Sequence, residues 1–177
     1  MVSSPAAHST PKHLARAVAD YQVRVAAGEA PPERVFVELS RERGFVNHGR
    51  TGSGHLVRID EPADFGGEGD AADPAELLLA AVGASLSVTI TAHAALRGLR
   101  IEGLDMRISA WMDPAAFFEF GGEARGGIRD LRIGLRMRSS EPANVLGKLV
   151  DQAAGASPVV TSLAIAPAIE LELEPTA

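Results

Sequence analysis

The 177-residue chain contains no cysteine. That absence excludes disulfides, thiolate metal sites and any mechanism built on a protein thiol, because the thiolate is both the nucleophile and the ligand in such chemistry. Aromatic residues are scarce, at 5%, so the core has to rest on Leu, Val, Ile and Ala. There is no Lys/Arg-rich run and the formal net charge is −6, so the electrostatic footprint of a nucleic-acid binder is missing. The five histidines (His8, His13, His48, His55 and His93) show neither HxxxH nor HExxH spacing, and neither a metal site nor a cofactor is expected. Gly66-Gly67-Glu68-Gly69-Asp70 is glycine-rich but acidic and lacks lysine, which suits an exposed turn better than a phosphate cradle. The opening MVSSPAAHSTPKH lacks the charged start and apolar stretch of a signal peptide, so a cytoplasmic protein is expected. The longest apolar stretch, Leu77 to Leu96, is interrupted by Ser85, Ser87, Thr89, Thr91 and His93. A membrane span needs about 18 or more apolar residues with few polar ones. This stretch therefore reads as a core helix, with no membrane partner.

What is present divides the chain into residues 1–10, expected to be disordered, an N-terminal helical segment at 11–30, and a single domain over 31–177. Pro11 to Ala27 suits a helix: Thr10 can cap it, Pro11 is tolerated in its first turn, and Leu14, Val18, Tyr21 and Val25 share a face. Arg34–Ser40 and His55–Asp60 alternate with period 2 and predict strands. The glycine-rich segment 47–54 between them predicts a hairpin loop or a bent strand pair. A long helix is predicted from Pro74 to about Arg97, capped by Asp73 and ended by Gly98. It is apolar nearly all round, which calls for cover on several sides. Ala81, Ser85, Val88, Thr89 and Ala92 form a small-residue stripe that lets another backbone approach.

In the second half, Leu104, Met106, Ile108 and Ala110 alternate with Asp105, Arg107, Ser109 and Trp111. Leu131, Ile133, Leu135 and Met137 stand on the face opposite to Arg132, Arg136 and Arg138, and a last strand sets Ile169, Leu171 and Leu173 against Glu170, Glu172 and Glu174. The arginine and glutamate faces would pair favourably as neighbours. Pro142 to Gly155 predicts a second helix with Val145, Leu146, Leu149 and Val150 inward. The fold class is α+β, with antiparallel strands bracketing a long buried central helix.

Asp60-Glu61-Pro62, Gly66-Gly67, Asp73-Pro74-Ala75-Glu76 with the helix after it, and Ser157-Pro158-Val159 together resemble the OsmC/Ohr superfamily (osmotically inducible protein C and organic hydroperoxide resistance proteins) over roughly residues 45–175. The resemblance implies the OsmC-like fold, an intertwined homodimer with sites at the subunit interface, and two redox cysteines. Their positions are occupied here by Ser85 and Ser157, placed close enough to cross-link if both were cysteines. It also implies an arginine that lowers the thiol pKa, for which Arg50 is the candidate, and a glutamate that steadies it, for which Glu76 is the candidate.

Serine cannot replace cysteine in that reaction. A hydroxyl is a weak nucleophile without an adjacent base, and it cannot pass through sulfenate to a disulfide. A thiol peroxidase is therefore excluded. Glu76 lies nine residues before Ser85, about two and a half turns, and so points away from it; its role is through Arg50 or in capping the helix. The context Gly83-Ala84-Ser85-Leu86-Ser87 lacks the second glycine of a nucleophile elbow, and His93 is about 12 Å further along the axis. A small buried serine bonded to a carbonyl one turn back is expected instead. Phe117, Phe118 and Phe120, with Trp111 nearby, either fold back onto the core or line an apolar pocket. The resulting expectation is a homodimer that binds a small apolar or hydroperoxide-like molecule without thiol turnover. The alternative is an enzyme with non-thiol chemistry.

Overall fold

A strong helix start and two patterned hairpins organise the chain. In the computed structural model, residues 11–120, 126–165, 167 and 169 are described. The expected disorder of residues 1–10, the cap at Thr10 and the strand through Glu170, Glu172 and Glu174 lie outside them. The elements are α1 (Pro11–Ala26), β1 (Val37–Arg43), β2 (Val46–Thr51), β3 (Leu56–Ile59), a single 3₁₀ turn (Ala63–Phe65), α2 (Pro74–Leu96), β4 (Gly103–Trp111), α3 (Pro114–Phe117), β5 (Arg129–Arg138), α4 (Ala143–Ala156) and α5 (Pro158–Ser162). Strands β1-β2-β3 form one antiparallel sheet and β4-β5 a two-stranded ribbon.

The first strand starts later than its alternation suggests, at Val37 rather than Arg34, and residues 47–51 of the glycine-rich segment belong to the strand β2. The reason is tertiary. Gly49 lies opposite Leu39, and a Cβ there would sit 3.3 Å from Val37 Cγ1, so the glycine lets the two strands pack closely.

The start of α2 is set locally. Asp73 Oδ1 accepts from Glu76 N at 2.7 Å, Glu76 Oε2 accepts from Asp73 N at 3.2 Å, and Pro74 takes the first position. This is a complete capping box. At the other end Gly98 adopts φ +66°, the left-handed turn that glycine makes at little cost. The β-branched run Val88–Thr91 is accommodated because Thr89 and Thr91 donate to Ser85 O and Ser87 O, one turn back, and because Ile90 is fully buried.

The core joins Leu86, Ile90 and Ala94 of α2 to Leu149 and Ala153 of α4, covered by Leu104, Met106, Ile133, Leu135 and Met137 of the ribbon. Each fully buried aliphatic side chain stabilises by about 1.5–3 kcal/mol. Both ribbon strands place their side chains as the alternation predicts, with β5 against β4. Burial of α2 is one-sided within the protomer. Val82, Gly83, Leu86, Ile90 and Ala94 are covered, whereas Val88 is 68% exposed. By length and composition α2 could cross a membrane, but here it carries the core.

Candidate functional site

Two hydroxyls meet where α2 passes the junction of α4 and α5. Ser85 projects from the middle of α2. Ser157 closes α4 in an extended conformation and Pro158 opens α5, which turns the chain so that the Ser157 side chain is fully buried. Ser85 Oγ and Ser157 Oγ are 2.8 Å apart, and Val159 N donates to Ser85 Oγ at 3.4 Å. The expected bond from Ser85 to a carbonyl one turn back is not formed. Ser157 takes its place, because α5 approaches this face of the helix. Of the small-residue stripe, Ser85 meets the α4–α5 turn, while Ala81 and Val88 stay exposed.

No base activates this pair. Among the described residues no hydrogen bond joins either hydroxyl to a histidine or a carboxylate, and His93 Nδ1 is buried without a partner. The pair can hold α2 to α5, but it lacks the nucleophile-to-base contact that serine hydrolysis requires.

The other predicted residues are not gathered around it. Glu76 is exposed and engaged in the capping box. Arg50 lies on the exposed side of β2, opposite Glu38 and Leu56. No hydrogen bond or ion pair joins it to Ser85, Ser157 or Glu76. On the same sheet, Arg43 and Arg58 do meet carboxylates. Arg43 Nε and Nη2 donate to Glu68 at 2.8 and 2.9 Å, and Arg58 contacts Glu68 at 3.3 Å and also pairs with Asp70.

These pairs belong to a polar knot in the loop between β3 and α2. Asp60 is 1% exposed, and its Oδ2 accepts from Glu68 N and Gly69 N at 2.9 Å each. Burial opposes its charge, but donation from backbone amides outweighs burial and holds the carboxyl below its ordinary range. Asp60, Glu68 and Asp70 bring carboxylate oxygens within 4.8 Å of one another. Arg43 and Arg58 already neutralise two of the three, so the cluster reads as a loop staple. The composition of this loop predicts a solvent-exposed turn, and no local signal marks Asp60 as its hub.

Beside the knot, the 3₁₀ turn meets the segment after β4. Phe65 packs on Phe117 and Phe118, with centroids 5.1 and 4.8 Å apart, and Phe120 stacks on Phe118 at 5.0 Å. Phe65, missed in the sequence, is the ring on which Phe117 and Phe118 both converge. Trp111 is 70% exposed and makes no ring contact with them, because strand alternation turns it to the outer face of the ribbon. Next to this cluster is a cavity of about 280 Å³, lined by Glu61, Phe65, Leu78, Met112, Phe117, Ile128 and residues 73–75. Glu61 is pushed above the ordinary glutamate range, first by burial and then by the charges of Asp73 and Asp60. The cavity shares a face of α2 with Ser85 but lies about 10 Å nearer the start of the helix, counting Leu78 to Ser85 at 1.5 Å per residue.

Comparison with known proteins gives a consistent result. The profile of the OsmC-like protein family matches residues 67–172. Among curated proteins no sequence matches the chain. Several solved structures are similar, three of them as follows. An OsmC-like protein from Mycoplasma pneumoniae has TM-score 0.64 and 13% identity, covering 75% of this chain and 89% of its own. The organic hydroperoxide resistance protein OsmC from Legionella pneumophila has TM-score 0.52 and 19% identity, covering 77% and 93%. An organic hydroperoxide resistance protein from Elizabethkingia anophelis has TM-score 0.56 and 12% identity, covering 76% and 92%. At these identities the likeness shows the fold.

Proposed function

The chain belongs to the OsmC-like protein family, and on that premise we propose that it binds a small, predominantly apolar molecule without thiol redox turnover. The observation that carries this reading is the Ser85–Ser157 hydroxyl pair, 2.8 Å apart, at the two positions where the resemblance puts the redox cysteines. A hydroxyl pair keeps the packing of such a site and removes its chemistry, since no sulfenate or disulfide can form. The apolar cavity beside Phe65 and Phe117 supplies a place for a ligand.

We also infer that the working unit is a homodimer. Val37 and Leu39 of β1 and Leu56 of β3 are more than half exposed, as is Val88 on α2, and an open apolar depression lies beside Val35 and Phe36. Exposed apolar surface on this scale is characteristic of an interaction site. In such an assembly Arg50 would have a route to a site that it does not reach in its own protomer.

Two measurements test the proposal. The Ser85→Cys/Ser157→Cys double variant is expected to form a disulfide under mild oxidation, and to gain some organic hydroperoxide reduction with a thiol reductant that a further Arg50→Ala weakens. The native protein should show no such activity, and mass spectrometry of denatured purified protein should reveal a bound apolar compound. Hydroperoxide turnover by the native chain, or generic ester hydrolysis that Ser85→Ala abolishes with no bound compound, would reverse the reading.

A further inference from the structure

The cavity beside the start of α2 carries a feature that a simple apolar pocket does not need. Glu61 lines it among Phe65, Leu78, Met112, Phe117 and Ile128, and its carboxylate makes no hydrogen bond or ion pair with any described residue. The arginines that reach this loop, Arg43 of β1 and Arg58 of β3, are committed elsewhere, Arg43 to Glu68 and Arg58 to Glu68 and Asp70. Of the neighbouring acids, Asp60 accepts the amides of Glu68 and Gly69 through Oδ2 alone, and Asp73 Oδ1 accepts the amide of Glu76. Among the described residues no basic side chain lines the cavity. Among the described residues, one carboxylate without a partner therefore belongs to the cavity lining, where burial and then the charges of Asp73 and Asp60 raise its proton affinity.

We propose that this cavity binds a small apolar molecule carrying a protonated amine, with the ammonium on Glu61 and the apolar body among Leu78, Met112 and Ile128. The proposal rests on the apolar-ligand reading above and names the ligand class. The faces of Phe65 and Phe117 add attraction for the cation. A cavity of about 280 Å³ lies just below the usual range for small-molecule sites, which suits a ligand as small as an arylalkylamine. An anionic ligand such as a fatty acid would bring a like charge against Glu61, Asp60 and Asp73, and is disfavoured.

The test is calorimetric titration of the full chain at pH 7 with three matched probes: 2-phenylethylamine, 2-phenylethanol and 3-phenylpropionate. The amine should bind at least about tenfold tighter than the alcohol, a difference of about 1.4 kcal/mol, and the carboxylate weaker than either. Glu61→Gln should abolish the amine's advantage while leaving the alcohol unchanged, whereas Glu61→Asp should preserve the order. Leu78→Trp, which fills the cavity, should abolish binding of all three. An amine no tighter than the alcohol overturns the proposal while leaving an apolar pocket intact. No binding by any probe overturns both. Amine binding that survives Leu78→Trp places the cation elsewhere and overturns the proposal.

Discussion

At the scale of single residues, the loop between β3 and α2 is less tolerant than its composition suggests. Gly67 has no room for a side chain: a Cβ there would lie 1.8 Å from Glu61 O, a backbone atom that cannot swing aside. Gly67→Ala is expected to cost roughly 3 kcal/mol, the upper end for overpacking, read as a fall in the urea midpoint with an unchanged slope. A loss below about 1 kcal/mol would mean that the loop rearranges freely. Little of this was legible in the sequence. Gly66-Gly67 reads as a turn, but the need for glycine at position 67 arises from a carbonyl six residues earlier. Asp60 looks like any strand-end acid until its two amide partners, eight and nine residues on, fold back over it. The Ser85–Ser157 contact was legible through the family resemblance, because spacing alone cannot bring together residues 72 apart.

At the scale of elements, α2 was the most readable because its signals are local. Asp73, Pro74, Glu76 and Gly98 mark its ends without reference to anything distant. Removing the cap by Asp73→Ala should cost about 1 kcal/mol, measured by chemical denaturation. An unchanged midpoint would show that tertiary packing alone holds the first turn. The strand β2 was less readable, since a glycine-rich segment carries no alternation and its pairing is dictated by β1. The faces of the two ribbon strands were readable, because one meets the core and the other meets solvent, but their pairing with each other was not: the charge pattern gave β5 the strand through Glu170, Glu172 and Glu174 as its neighbour, and that strand lies outside the described residues. The short helix α5 escaped notice: five residues give no periodicity, and only its contact with α2 makes it matter.

At the scale of the whole molecule, the protomer leaves apolar surface on both sides of its sequence midpoint. A dimer at micromolar concentration is the expected result of size-exclusion chromatography with light scattering, and Val88→Glu or Leu39→Glu should shift it toward monomer. A monomeric native protein would remove the dimer from the proposal. The loop that joins the β1–β3 sheet to the rest of the protomer has a property of its own. Asp60 and Glu61 are adjacent in sequence yet shifted in opposite directions, Asp60 down and Glu61 up. Asp60 stabilises the fold above its ordinary titration range and loses that contribution only as the pH falls through its depressed folded value. Glu61 takes up its proton earlier in the same descent, and folding gains from that protonation as the pH falls through its raised value. Acidification therefore acts on neighbouring carboxyls in sequence, discharging the cavity before it loosens the staple. On the amine-binding proposal, the expected outcome is a pH interval between the two steps in which a cationic guest leaves a chain that is still folded. Following amine occupancy and near-ultraviolet circular dichroism together through an acid titration would reveal the interval as two separated transitions, and a single coincident transition would show that none exists.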